Sequence, residues 1–292
     1  MSNKLSIFAV AIALLALGAA VTRSGSSPET SEPKESAFNR VMRTRTLRCA
    51  YATWPPFLMM DPNTKKITGA NYEIMEAIGR TANLKIEWVE ELGFGLFPDN
   101  LRLGKEDAWC TGSRASTARA QRTEISSPIA FSPLYACARE DDTRFDGNSK
   151  AINADTVTIS IIDGSTIESV AKTTFPKAKI YTLPEMADLA QAFDAVALKK
   201  ADIIFSDEDG VVAYNKFNPT KRLRRVTGIP PLRTLAVVFP VAKGEWELRD
   251  LLNVAIGELQ GDGTIDGILS QYEATPNAIL HVAKPYIAQR PE

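Results

Sequence analysis

From residue 46 onward, apolar runs of four to six residues alternate with stretches whose apolar positions recur every three or four residues. Short apolar runs bounded by Gly, Pro, Asn or Asp read as buried strands, and the 3.6-residue period reads as a helix packed along one side. The pattern predicts strands at 47–52, 85–89 and 107–112, with helices at 71–81 and 96–103 between them. A second set follows, with strands at 157–162, 179–182 and 202–205 and helices at 166–174, 186–199 and 210–215. Strands alternating with helices on this scale are the signature of parallel sheets covered by helices, so the expected fold class is α/β.

Two further apolar segments lie outside both sets. Residues 132–139 run into the polar loop 140–150, and residues 234–240 follow Ile229-Pro230-Pro231. They are read as crossovers between two lobes of the same design. The last helical patterns, 246–259 and 264–272, then return to the first lobe and make it discontinuous. The expected division is 38–135 with 236–275 for lobe 1, 140–228 for lobe 2, 132–139 and 229–240 as hinge strands, and 276–292 as a tail. No repeat links the two sets, so this division follows from element order alone.

The N-terminus carries a different pattern. Lys4 precedes the charge-free stretch 5–21, seventeen residues dominated by Ala, Leu, Ile and Val. A secretory core is typically about 7–15 residues and a spanning helix about 20, so the run reads as an export signal or a short anchor. Gly18-Ala19-Ala20 offers small residues for cleavage, and no Cys precedes Cys49, which excludes a lipid-modified cysteine close behind the run. Residues 22–37 are rich in Ser, Pro and Glu and read as a flexible tether. The expected location is periplasmic or otherwise extracytoplasmic, with the folded part either released or tethered by 5–21.

Composition removes several partner classes. The 292 residues are 45% hydrophobic and 24% charged, enough for a sizeable core, and the formal net charge of −1 provides no overall positive field for nucleic acid or an anionic membrane. Membrane contact is expected only through the N-terminal segment. Export implies an oxidising compartment, yet Cys49, Cys110 and Cys137 are odd in number. All three lie in apolar strand-like runs and are read as core thiols, with a Cys49–Cys110 pair as the alternative. The chain has no CxxC motif, and its sole histidine, His281, sits in the tail, so neither a zinc site nor any other metal is expected. There is no Walker loop, and Gly93-Phe94-Gly95 lacks the third glycine of a dinucleotide site, so no cofactor is expected. The basic run 221–225, KRLRR, reads as a solvated edge of lobe 2.

Several stretches together resemble the family 3 extracellular solute-binding proteins, the amino-acid receptors of bacterial ATP-driven importers. They are LRCAYATWPPF at 47–57, ITG at 67–69 with Glu73-Ile74, GKED at 104–107, GSRASTARAQRTEISSP at 112–128, DGST at 163–166, ADIIFSD at 201–207 and QGDGT at 260–264. The resemblance covers about residues 46–272. It implies a two-lobed periplasmic-binding-protein-like (type II) α/β fold, capture of an amino acid or similar small carboxylate by hinge closure, and an inner-membrane ABC permease as partner.

The chemistry of such a ligand matches the residues present. An α-amino acid shows a carboxylate and an ammonium a few ångströms apart, so recognition needs a donor and an acceptor that face each other. Arg119 follows a strand and a Ser/Thr turn, where a planar guanidinium holds a carboxylate through two parallel hydrogen bonds. In isolation it would read as a solvated helix arginine. Asp207 closes the apolar run 203–205 at the carboxyl end of a parallel strand, where open α/β sheets bind ligands, and would accept from the ammonium. It also suits a helix N-cap. Ser165 and Thr166 open a helix after Gly164, so backbone N–H groups and a hydroxyl are available to the carboxylate; simple capping is the plainer reading. Trp54 is read as an aromatic wall or as lobe packing, Phe57 as core. Gly112 matches a position where backbone approaches ligand closely.

The departures from the family pattern concern specificity. Arg114 stands where a small hydroxyl residue is usual, and a second cation there favours an extra acidic group on the ligand or excludes a large side chain. The aromatic often found before Gly-Leu-Ile-Pro is replaced by Gly93, with Phe94 shifted by one place. Tyr51 and Glu208 flank the expected pocket. Two rival readings accompany the receptor: a periplasmic dehydratase acting on cyclohexadienyl acids, with Glu168, Glu208 or Glu91 as cleft acid or base, and a membrane-tethered sensing domain. No catalytic pair or triad stands out in the sequence.

Overall fold

The computed structural model describes residues 35–282. The apolar run 5–21, nearly all of the 22–37 tether and residues 283–292 lie outside the described residues.

The first sheet forms around β1 (Thr46–Tyr51), which follows α1 (Ala37–Thr44) and pairs in parallel with β4 (Lys85–Glu91) and β5 (Ala108–Trp109). Between β1 and β4 the chain makes a short hairpin, β2 (Met59–Met60) with β3 (Ile67–Thr68), and then α2 (Ala70–Thr81). Ile74, Met75, Ala77 and Ile78 recur at helical spacing and are buried on one face of α2. After β4, α3 (Phe97–Leu103) ends at Gly104, whose φ of 72° is left-handed and releases the chain toward β5. The sheet order is β4-β1-β5-β14-β7, with β7 at Thr123–Ile125 and β14 at Pro240–Ala242. Thus β14, from the far side of the second strand set, completes the first sheet. Its core is closed by α8 (Trp246–Gly261) and α9 (Thr264–Tyr272), whose Leu248, Leu252, Ile256, Ile265 and Leu269 are buried with Leu47, Ile74 and Val241.

The second sheet has parallel strands β9 (Thr158–Ile162), β10 (Lys179–Leu183) and β11 (Ile203–Ser206) at one side. The helices α5 (Thr166–Thr174), α6 (Leu189–Ala197) and α7 (Glu208–Phe217) connect or follow them. Its order is β10-β9-β11-β8-β13-β6, with β8 at Ala130–Arg139, β13 at Arg233–Val238 and β6 at Ser113–Arg114. The strands β12 (Leu223–Arg225) and β15 (Leu280–His281) also pair with β8. β8 passes from one core to the other: Ala130 belongs to the first cluster, whereas Leu134, Ala136 and Ala138 belong to the second. β13 runs antiparallel beside it, with Val237 in the first core and Leu235 packed on the second. The molecule is a two-lobed α/β protein with parallel-rich sheets, and the two lobes are joined by this strand pair.

Several expectations shift. The strand expected at 107–112 shortens to β5, because Thr111 replaces the ladder with its side chain. Its Oγ1 donates to Ala52 O at 2.8 Å and accepts from Ala52 N at 2.7 Å. The helix expected at 186–199 starts only at Leu189, where Asp188 caps it by accepting from Gln191 N at 2.7 Å. The helix expected at 210–215 is longer, since Asp207 caps it from residue 208. α4 (Thr117–Arg122), β6, β7 and β12 have too few residues to produce a period. Cys49 and Cys110 form a disulfide rather than separate core thiols. They lie on or just after the adjacent strands β1 and β5, with Cα atoms 5.4 Å apart, within bonding reach. Cys137 is buried and free, and burial pushes its thiol pKa up. His281 is placed in β15, with Nδ1 2.5 Å from Asp266 Oδ1. The basic run 221–225 is solvated only at its start: Lys221 and Arg222 are exposed, whereas Arg224 and Arg225 are half-buried. Arg222, Arg224 and Arg225 pair with Glu140, Asp146 and Glu208, and the last three residues form β12.

Candidate functional site

A cavity of about 60 Å³ lies between the lobes. Trp54, Phe94, Ser113, Arg114 and Arg119 line it from the first lobe and its neighbouring strand β6. Across from them, Ser160 to Ile162 end β9 and Ser165 to Ile167 open α5. The floor is apolar, made by Ile204 and Phe205 on β11 with Leu189 and Ala192 on α6. The site therefore sits at the carboxyl ends of parallel strands, where the strand-to-helix turns leave backbone donors.

Arg119 is held in α4, whose N-cap Ser116 accepts from Arg119 N at 3.2 Å. The residue is 5% exposed, and its guanidinium carbon stands 4.5 Å over the Phe97 ring. One nitrogen, Nη2, donates to Phe94 O at 2.5 Å, whereas Nε and Nη1 are buried without a partner. Among the described residues, no carboxylate pairs with it. Burial, with a smaller push from Arg122, pulls its pKa down to about 10 against the opposing charge of Glu185, so it remains cationic at neutral pH. A buried charge without a counter-ion costs several kcal/mol, and an anion at Nε and Nη1 would remove that cost.

The other polar end of the site is already neutralised. Asp207 is 2% exposed and caps α7 by accepting from Gly210 N at 2.7 Å through Oδ1. Its Oδ2 accepts from Trp54 Nε1 at 3.0 Å and forms an ion pair with Arg114. Arg114 lies on β6 with its guanidinium carbon 4.6 Å over the Trp54 ring, and Nη2 also reaches Ser132 Oγ at 3.4 Å. Burial lowers the Arg114 pKa, and Asp207 opposes that shift. Thr166 Oγ1 donates to Arg114 O at 3.1 Å. These contacts join residues of the first lobe to residues of the second across the cleft.

The remaining candidates divide. Ser165 caps α5 by accepting from Glu168 N at 3.3 Å and also lines the cavity, so both of its expected roles are available. Gly112, with φ of 83°, lies beside the site, and a Cβ there would stand 2.5 Å from Asn71 Nδ2. Tyr51 faces Trp88 edge-on, with ring centroids 6.1 Å apart, and does not line the cavity. Phe57 is buried in the core against Trp54, with centroids 4.5 Å apart. Glu208 pairs with Arg225, Glu168 with Lys172, and Glu91 lies near Thr53; none of them lines the cavity. Ser113, Ser160 and the apolar wall were missed in sequence. The wall residues look like ordinary strand and helix core, and only the topology turns them toward one space.

A family model for the bacterial extracellular solute-binding proteins, family 3, matches residues 47–275. The L-cystine-binding protein TcyA of Bacillus subtilis (strain 168) is 24% identical over 225 residues, 75% of this chain and 78% of that protein. A probable histidine-binding protein of Campylobacter jejuni subsp. jejuni serotype O:2 is 24% identical over 250 residues, 84% of this chain and 91% of that one. Among solved structures, the ancestral amino acid-binding protein AncCDT-1, a precursor of cyclohexadienyl dehydratase, matches with a TM-score of 0.70 at 24% identity. That match covers 81% of this chain and 99% of that one. A solute receptor for L-cysteine of Neisseria gonorrhoeae matches with a TM-score of 0.71 at 18% identity, covering 84% and 99%. The two-lobed fold is common to all of these structures, and the sequence match spans both lobes. The chain belongs to the bacterial extracellular solute-binding proteins of family 3.

Proposed function

We propose that the chain is an extracytoplasmic receptor that captures a small carboxylate by closure of its lobes and presents it to an inner-membrane ABC permease. The observation that carries this reading is Arg119, a buried guanidinium with two unpartnered nitrogens beside the cavity. The ligand carboxylate docks on Arg119 against Trp54 and Phe94, and the second lobe then brings Ser165 and Thr166 with the N-terminal turn of α5. Residues 38–135 with 236–275 move as one body against 140–228, and β8 and β13 serve as the hinge. Curated relatives are named for L-cystine and histidine, so amino acids and their deaminated analogues are the first compounds to screen. The segment 5–21 exports the protein or holds it at the membrane.

Closure and binding are tested together. A thermal-shift screen of amino acids, 2-oxo acids and dicarboxylates identifies the stabilising ligand, because a bound ligand favours the closed form by mass action. Small-angle scattering then reads the radius of gyration with and without it. The expected result is a raised melting temperature and a smaller radius. No shift with any carboxylate would refute the reading.

A further inference from the structure

We infer that Arg114 occupies the place a ligand ammonium would take, so that the receptor selects small monocarboxylates lacking a protonated α-amine, such as 2-oxo acids. This rests on the receptor reading above and names its ligand class. Among the described residues, Asp207 is the carboxylate that reaches the cleft through Arg114 and Trp54, and its Oδ2 is engaged by both of them. Its Oδ1 is held by Gly210 N. The Arg114 guanidinium lies over the Trp54 face and pairs with Asp207, so a cation already stands against both of them.

Charge counting decides between ligand classes. Among the described residues, the charges that line the cavity or pair with its lining are Arg114, Arg119 and Asp207, with Glu185 acting on Arg119 from farther away and Asp209 behind Asp207. A bound α-amino acid would therefore add an ammonium that no free carboxylate contacts. With a 2-oxo acid, Arg114 and Arg119 face Asp207 and the carboxylate, and the site is neutral. An acidic amino acid would also balance the count, but its second carboxylate would meet Ile161, Ile162, Ile167, Ile204 and Phe205, which offer no charged donor. Its ammonium would still find Asp207 taken. The hydroxyls nearby do not substitute, since Ser160 Oγ donates to Ala192 O at 3.0 Å and a neutral acceptor does not offset a charge.

Replacing Arg114 by Ser reverses the count: the ammonium would then face an Asp207 that has lost its counter-ion, while a 2-oxo acid would leave an excess negative charge. The test is calorimetric titration of the wild-type chain and Arg114→Ser with matched probes. These are L-leucine and 4-methyl-2-oxopentanoate, L-alanine and pyruvate, and L-phenylalanine and phenylpyruvate, together with L-aspartate and L-glutamate. The wild type is expected to bind a 2-oxo acid about 100-fold or more tightly than its amino partner, the size expected for an unpaired buried charge. Arg114→Ser is expected to invert that order. Wild-type binding of any amino acid, acidic ones included, as tightly as the best 2-oxo acid overturns the proposed class and leaves the receptor reading intact. Failure of every probe with both proteins overturns this proposal, and the receptor reading falls with it where the wider thermal-shift screen of carboxylates is also silent. The wild-type titration decides the ligand class even if Arg114→Ser does not fold.

Discussion

Two arginines five positions apart face the same cavity and have opposite electrostatic situations. Arg114, on a strand, meets Asp207 in an ion pair; Arg119, on the short helix that follows, stacks on Phe97 with two nitrogens unpartnered. Side-chain type alone does not separate a structural cation from a ligand clamp. What separates them is whether the fold brings a carboxylate to the guanidinium. At Arg114 the second lobe supplies one in direct contact through the N-cap of α7. At Arg119 it supplies hydroxyls, backbone and the charge of Glu185 at a distance, with no carboxylate among the described residues paired to the guanidinium.

The largest expected effect follows from that contrast. Arg119→Ala should weaken ligand binding by about 3–5 kcal/mol, two to three decades or more, while the ligand-free protein melts no lower than wild type. Calorimetry and a ligand-free melting curve check the two halves separately. A fall in melting temperature with unchanged affinity would make Arg119 the structural partner and break the comparison. Next in size is the pair on the other side. Asp207→Asn keeps an N-capping side chain but leaves Arg114 without its counter-ion. It should cost about 2–3 kcal/mol, discounted from the value for a deeply buried pair because Arg114 retains 12% of its side-chain exposure. Combining it with Arg114→Gln should recover part of that loss, and denaturant unfolding of the two single variants and the double variant measures the coupling.

Much of the fold was legible because it rests on long periodic segments. The helices at 166–174 and 264–272 begin and end where their apolar period does. The ends of other elements were set by side chains acting on backbone, as Thr111 does at β5 and Asp188 at α6, and a hydrophobic pattern carries no trace of such bonds. The disulfide depended on strand neighbours 61 positions apart, so the sequence left the Cys49–Cys110 pair as the alternative to three core thiols, and only the sheet decided for it. At the site, Arg119, Trp54, Ser165 and Thr166 were marked by their local motifs. The Arg114–Asp207 contact joins residues of different lobes, and nothing near either position announces it.

Trp54 links the two sides of the comparison, since its ring lies beside Arg114 and its Nε1 donates to Asp207. Trp54→Phe removes that donor while keeping an aromatic face. A hydrogen bond to a charged group contributes about 1.5–3 kcal/mol, but Arg114 and Gly210 still satisfy Asp207, so a stability loss near 1.5 kcal/mol is expected. A larger effect on ligand affinity than on stability would assign the indole to the ligand rather than to the lobe contact. Denaturant unfolding and titration of the same preparation separate these outcomes.

The smallest effect comes from a carboxylate two residues beyond Asp207. Asp209 is 4% exposed, and burial, followed by repulsion from Asp207, raises its pKa to about 6. Thr275 and the Ala274 backbone oppose the shift, and Glu273 adds a further, weaker push upward. For an acid whose folded pKa exceeds its unfolded value of about 3.9, the folded state holds the proton more tightly. Its contribution is therefore most favourable below about pH 4 and is lost as pH rises through 6, the reverse of a salt-bridged aspartate. Asp209→Asn removes the ionisation, and the asparagine should be the more stable protein at pH 7, by on the order of 1 kcal/mol. The difference should shrink toward zero as pH falls to 4. Equal stability of the two proteins at pH 7, or a gap that widens on acidification, would show that the Asp209 carboxylate is compensated in the fold as well as Asp207 is.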